Sequence, residues 1–234
     1  MNKIADRLDS AYSKITSAAK KSGRPASDIT LLAVSKTKPI PLIVEAYEFG
    51  QRKFGENYVQ EGVEKIHHFA QQNSFADIEW HFIGPLQSNK TKLVATHFDW
   101  VQSVDREKIA TRLSEQRPNN SPKLNVLIQI NANDEASKSG IQFNDVEALA
   151  STIAALPNLT LRGIMSIPIK TNDTMALNKT FTKLKDCFDK LKSQYDSVDT
   201  LSMGMTNDMD LAIEHGSTMV RLGTAIFGER EKSE

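Results

Sequence analysis

The spacing of apolar residues along the chain alternates between two rhythms. Near residues 2–22 they stand three and four apart, at Ile4, Leu8, Tyr12, Ile15 and Ala19, which predicts a helix with one face packed inward. "SGRPAS" breaks that pattern. "ITLLAVS" (Ile29–Ser35) is apolar nearly throughout, as a strand buried on both faces should be. "PLIVEAYEFG" (Pro41–Gly50) then predicts a helix with proline near its start and glycine at its end.

The two rhythms take turns to the end of the chain. "KFGEN" predicts a short strand and "VQEGVEKIHHFA" a helix, "EWHFIG" a strand and "NKTKLVATH" a helix, "DWVQSV" a strand and "REKIATRLSEQR" a helix. "KLNVLIQIN" predicts a strand before a helix around Asp145–Leu156, and "LTLRGIMSI" a strand before a long helix over much of Asn178–Tyr195. "TLSMG" is a strand followed by a helix in "NDMDLAIEHG"; "TMVRLG" is the last strand, with a short helical turn in "TAIFGER". About eight strand–helix units in 234 residues is the count and length of a (β/α)8 TIM barrel, here with an extra N-terminal helix. An open doubly wound sheet usually stops at about five or six strands and carries GxGxxG after the first, and no such motif follows "LLAVS". No Pro/Ser/Gly-rich linker or low-complexity tract intervenes, so residues 1–234 are expected to form a single domain.

Composition narrows the partners. The formal net charge is zero, which argues against a broad electrostatic footprint for nucleic acid or an anionic membrane. The single cysteine, Cys187, excludes an intrachain disulfide and a four-cysteine zinc site. The N-terminus lacks the apolar core of a signal peptide, and no apolar run approaches the ~20 residues of a membrane helix. A cytoplasmic location is expected.

In such barrels the chemistry lies at the C-terminal ends of the strands. Lys36 falls there after the first strand, Asn57 after the second, and His81 with "GPLQSNK" at the third. Met165 and Ser166 close the sixth; Ser202, Gly204 and Thr206 follow the seventh; Arg221, Gly223 and Thr224 the eighth. The last two groups match the phosphate site that such barrels often build from the loops after strands seven and eight. Gly204 and Gly223 would let backbone N–H groups approach an anion, with Ser202, Thr206 and Thr224 as hydroxyl donors. Turn closure alone would also account for these residues. In a closed barrel the first strand neighbours the eighth, which sets Lys36 close to Arg221 and the phosphate loop.

A lysine drawn from water has a lowered pKa and can attack a carbonyl as the free amine. With a phosphate site, Lys36 fits a Schiff base with pyridoxal 5′-phosphate or with an aldolase's sugar phosphate. A snorkelling lysine at a strand end is the plainer alternative. Arg221 fits either a ligand contact or an ion pair in the barrel mouth. His67 and His68 read as solvated, His81 as a structural hydrogen-bonding residue, Cys187 as packing and Lys138 as a loop cation.

The strings "LLAVSKTKP", "FGENYVQE", "WHFIGPLQSNK", "SKSGI", "LSMGM" and "STMVRLGTAIFG", in that order, closely resemble the pyridoxal phosphate homeostasis family, single-domain relatives of the N-terminal barrel of alanine racemase. The resemblance covers essentially the whole chain. It implies that Lys36 forms the Schiff base with pyridoxal 5′-phosphate and that Ser202, Gly204, Gly223 and Thr224 hold the phosphate. Arg221 would face the pyridine nitrogen, and Asn57 and Met165 would line the pocket. An arginine there cannot keep the nitrogen protonated as an acid would, which disfavours electron withdrawal. Related racemases add a C-terminal β domain, and this chain ends a few residues after "FGER". The expectation is therefore a monomeric carrier that supplies the cofactor to apo-enzymes, with little or no turnover. The alternatives are an amino-acid racemase or decarboxylase using the same cofactor, and an aldolase without it.

Overall fold

In the computed structural model, which describes residues 3–133 and 139–229, the apolar runs become strands and the stretches of helical period become helices. The strands are β1 (Thr30–Val34), β2 (Lys53–Glu56), β3 (Glu79–Phe82), β4 (Trp100–Val104), β5 (Leu124–Ile130), β6 (Leu159–Ser166), β7 (Thr200–Ser202) and β8 (Met219–Leu222). All pair in parallel in chain order, and β8 returns to β1 to close the barrel. Around it run α1 (Lys3–Lys21), α2 (Ile40–Phe49), α3 (Val59–Ala70), α4 (Thr91–His97), α5 (Glu107–Gln116), α6 (Val146–Ala155), α7 (Thr174–Gln194), α8 (Met209–Glu214) and α9 (Thr224–Phe227). The expected (β/α)8 barrel with an added N-terminal helix is the observed fold. Among the described residues no helix is long and apolar enough to cross a membrane.

Local chemistry explains the boundaries. Gly50 ends α2 at φ 119°, a left-handed conformation that glycine adopts without a Cβ penalty. The seventh helix begins earlier than its apolar pattern suggests. The Asp173 side chain accepts hydrogen bonds from the Met175 and Ala176 N–H groups, and this cap starts the helix at Thr174, before the first buried residue. Tyr12 differs from expectation too. Ala11 and Ala18 complete the buried face of α1, while Tyr12 stays on the rim, stacks on Phe49 and donates to Gln51 Oε1 at 2.6 Å.

Two kinds of core result. The large one lies between barrel and helices and contains the fully buried Phe54, Phe69, Phe82, Phe98 and Phe181. Burying each contributes roughly 1.5–3 kcal/mol, so the jacket holds most of the fold. The remaining buried apolar residues form two small clusters on the strands and just beyond β3, Leu32 with Ile83 and Met219, and Trp100 with Leu127 and Met165.

The β6–β7 contact leaves no room for a side chain at Gly163, where φ is 143° and a Cβ would run into the Thr200 carbonyl oxygen. Gly163→Ala should therefore destabilise the protein by at least about 1–3 kcal/mol through overpacking, read as a lowered urea midpoint at unchanged m-value.

Candidate functional site

The barrel gathers the predicted residues on one arc of its mouth. Lys36 stands two positions beyond β1 and is half-buried. On β8, Arg221 pairs with Leu32 and Leu222 with Ala33, so Gly223 and Thr224 emerge next to the β1 loop. Ser202 ends β7, and the Arg221 N–H donates to the Gly204 carbonyl at 3.0 Å, joining the two loops. Asn57 follows β2, and Met165 sits one residue short of the end of β6. The arc thus runs β6–β7–β8–β1–β2 without a gap.

Close packing sets several of these positions. At Gly204, with φ 102°, a Cβ would lie 2.7 Å from that of Ala212, so glycine lets α8 seat against the loop. Gly84 faces the Asn57 carbonyl with no space for a Cβ, which fixes the backbone at Asn57. The side-chain Oδ1 of Asn57 is buried without a hydrogen-bond partner. Such atoms are normally satisfied, and here a ligand donor at the mouth would satisfy it. Thr224 and Thr206 are exposed. Met165 is wholly buried against Trp100 and Leu127.

Below the mouth runs a polar chain that sequence reading did not anticipate. Arg221 donates through Nη1 to Ser202 Oγ at 2.7 Å and through Nη2 to the Ser166 carbonyl at 2.9 Å. Ser202 Oγ donates to Gln102 Oε1 at 2.7 Å, Gln102 Nε2 meets His81 Nδ1 at 2.9 Å, and His81 Nε2 meets Glu79 Oε1 at 2.7 Å. Arginine can only donate, so Ser202 must accept from it and pass its own proton to the Gln102 carbonyl oxygen. The Gln102 amide then faces Nδ1, and the His81 proton is left on Nε2, aimed at the Glu79 carboxylate. The Ser202 hydroxyl, expected as a phosphate donor, is committed to this chain.

Arg221 is 4% exposed. Among the described residues no carboxylate lies within ion-pair distance of it, so the ion pair considered from sequence is replaced by neutral acceptors. Burial pushes its pKa down to about 10, with the Asp208 charge opposing; it remains a cation at neutral pH. Asp208 also accepts from the Met205 N–H at 2.6 Å, holding the loop after β7.

The other candidates take structural places. His67 and His68 are exposed. His81 is buried in the polar chain. Burial pushes the Cys187 thiol up to about 11, away from nucleophilic use. Lys38 Nζ donates to the Gly228 and Glu229 carbonyls, each at 2.9 Å, and pins the chain after α9. Lys138 lies outside the described residues. A hollow of about 700 Å³ lies at the other end of the barrel among Arg24, Asp28, Lys185, Asp189 and His215, where such barrels do not place their chemistry. Gln102 was missed because one glutamine in a strand carries no sequence signal. Lys65 left a signal: it shares the buried face of α3 with Gly62 and Phe69.

Comparison with known families assigns this barrel to the alanine racemase type. Residues 7–231 match the family described as the alanine racemase N-terminal domain. The chain is 58% identical to the pyridoxal phosphate homeostasis protein of Vibrio cholerae over 233 residues, covering 100% of this chain and 99% of that one. It is 55% identical to the protein of the same name from Escherichia coli, with the same coverage. The structure of PipY from Synechococcus elongatus with PLP bound superposes with a TM-score of 0.80 at 33% identity, covering 96% of this chain and 100% of that one. The chain belongs to the pyridoxal phosphate homeostasis protein family.

Burial pushes the His81 imidazole below its ordinary 6.5, against the opposing pull of Glu79. A histidine depressed in the fold binds its proton more readily unfolded. The stability is therefore present above about pH 6.5 and declines as pH falls from there towards the folded value. NMR of the His81 ring nitrogens should show a neutral Nε2–H tautomer throughout neutral pH. Titration near 6.5 would contradict the polar chain.

Proposed function

We propose that this chain binds pyridoxal 5′-phosphate covalently through Lys36 and holds it for intracellular supply to apo-enzymes, with little or no turnover. The observation that carries the reading is the pairing of β1 with β8, which makes the loop bearing Lys36 the neighbour of the strand that holds the buried Arg221 and of its glycine-bearing loop. The residues present fit the cofactor. Gly204, Gly223 and Thr224 would hold its phosphate. Arg221 would face the pyridine nitrogen, and Asn57, with its unsatisfied Oδ1, would contact the ring. When bound, the cofactor supplies an aldehyde that condenses with a primary amine and releases water.

The chain's own residues favour holding over reacting. Arg221 has donors only and stays charged, so it cannot place a proton on the pyridine nitrogen and keep it there as a carboxylic acid partner would. Its orientation is set from below by Ser202 and the Ser166 carbonyl. The relatives carry the same emphasis, being named for homeostasis.

Borohydride reduction followed by peptide mapping should fix the cofactor on Lys36, and Lys36→Ala should abolish that adduct in a folded protein. Trapping on another lysine with Lys36 unlabelled would refute the assignment. Pyridoxal without phosphate should bind much more weakly, since each charge-assisted hydrogen bond typically contributes ~1.5–3 kcal/mol; equal affinity would exclude a phosphate site. With excess alanine or serine, α-proton exchange against deuterated solvent should stay near background. Turnover in the usual ~1–10³ s⁻¹ range would instead identify a racemase or decarboxylase.

A further inference from the structure

The turn that carries Lys36 is held in an unfavourable conformation by charges from α3 and β2. The Ser35 carbonyl accepts from the Lys38 N–H at 3.0 Å, so residues 35–38 form a tight turn with Lys36 and Thr37 at its corners. Thr37 has φ 61°, the one non-glycine residue with positive φ among the described residues. At this place in a turn, positive φ normally calls for glycine or asparagine, and a β-branched residue there is a true outlier. Such strain persists only where the surroundings impose it, and it gathers at functional sites.

Here the surroundings are specific. The Thr37 N–H donates to Glu61 Oε1 at 2.6 Å. Lys65 Nζ donates to the Ser35 carbonyl at 2.8 Å and to Glu56 and Glu61 at 2.7 Å each. Ser35 Oγ donates to Glu56 Oε1 at 2.6 Å, and the Ser35 N–H to the Gly55 carbonyl at 3.0 Å. The side chains of Lys65 and Glu56 are 6% and 0% exposed. Three charges, two of them buried, thus converge on the residues immediately before and after Lys36. The jacket core already packs α3 against the barrel, so packing alone gives no reason for this expense of desolvation.

We propose that Glu61 and Lys65 are positioning residues for Lys36: they hold the strained turn so that the Lys36 side chain leaves it towards the cofactor aldehyde. This rests on the reading of Lys36 as the attachment residue. Without the Glu61 acceptor, Thr37 can relax to negative φ, which reorients the peptide next to Lys36 while leaving the loops after β7 and β8 untouched. The consequence is selective. Covalent attachment weakens, whereas recognition of phosphate and ring does not.

Two probes separate these contributions. Pyridoxal 5′-phosphate can bond covalently; pyridoxine 5′-phosphate, an alcohol at the same carbon, cannot. In Glu61→Ala, affinity for the aldehyde should fall about tenfold, ~1.4 kcal/mol, with affinity for the alcohol unchanged. Glu61→Gln, which keeps an oxygen for the Thr37 N–H, should restore most of the loss. If Glu61→Ala does not fold, the double variant Lys65→Met with Glu56→Gln, which removes a donor to the Ser35 carbonyl without stranding the buried Glu56 charge, carries the same comparison. Equal losses for both probes would show a merely structural role, and wild-type affinity for both would show none; either overturns the proposal. Borohydride mapping of the wild-type protein keeps the two ideas apart. Failure to label Lys36 there defeats the attachment reading, whereas normal labelling with insensitive Glu61 and Lys65 variants defeats only the positioning role.

Discussion

A buried arginine can donate hydrogen bonds and can do nothing else, and the arrangement below the barrel mouth follows from that. Arg221 needs acceptors, and it finds the Ser166 carbonyl and the Ser202 hydroxyl. Once Ser202 accepts, its single proton has one destination, Gln102, and the direction of every later bond is set as far as Glu79. Gln102 comes from β4, across the ring from β8, so this chain ties opposite walls together. TIM-barrel interiors are ordinarily filled by layers of branched apolar side chains. In this one the polar chain accompanies two small apolar clusters, and the apolar mass lies outside the strands.

The two neighbouring strands at the mouth carry opposite electrostatic settings. On β8 a cation is buried among neutral acceptors. Beyond β1, a lysine sits on a turn flanked by two carboxylates and a buried ammonium group. Burial raises the Glu56 pKa, while Lys65 and the Ser35 hydroxyl pull it down. Removing one partner from such a cluster would strand a buried charge, a change that costs more than the pair itself contributes. Both settings immobilise groups around the mouth, as suits a site that holds a ligand.

Most of the barrel was legible from residue order because each unit obeys its own period. "ITLLAVS" is buried on both faces as its composition requires, and the helices carry their apolar residues three and four apart. Where the reading slipped, a local polar group outweighed periodicity. Asp173 started α7 early, and Tyr12 kept its hydroxyl at the rim, where Gln51 could accept from it. Lys36, Arg221 and the two glycine-bearing loops could be placed on adjacent strands because a closed parallel barrel makes the first and last strands neighbours.

What the sequence determined by itself was therefore periodic or nearest-neighbour: the strand–helix count, the closure, the residues at each strand end and the motifs that mark the family. Tertiary structure alone decided which of those residues are spoken for. Ser202 looks like a free hydroxyl until Gln102 arrives from the opposite wall, a hundred positions away in the chain. Thr37 looks ordinary until Glu61 fixes its backbone at positive φ. The physical reason is the same in both cases. A hydrogen-bond partner is chosen by distance and direction in space, and residue types say only which groups can give a proton and which can take one.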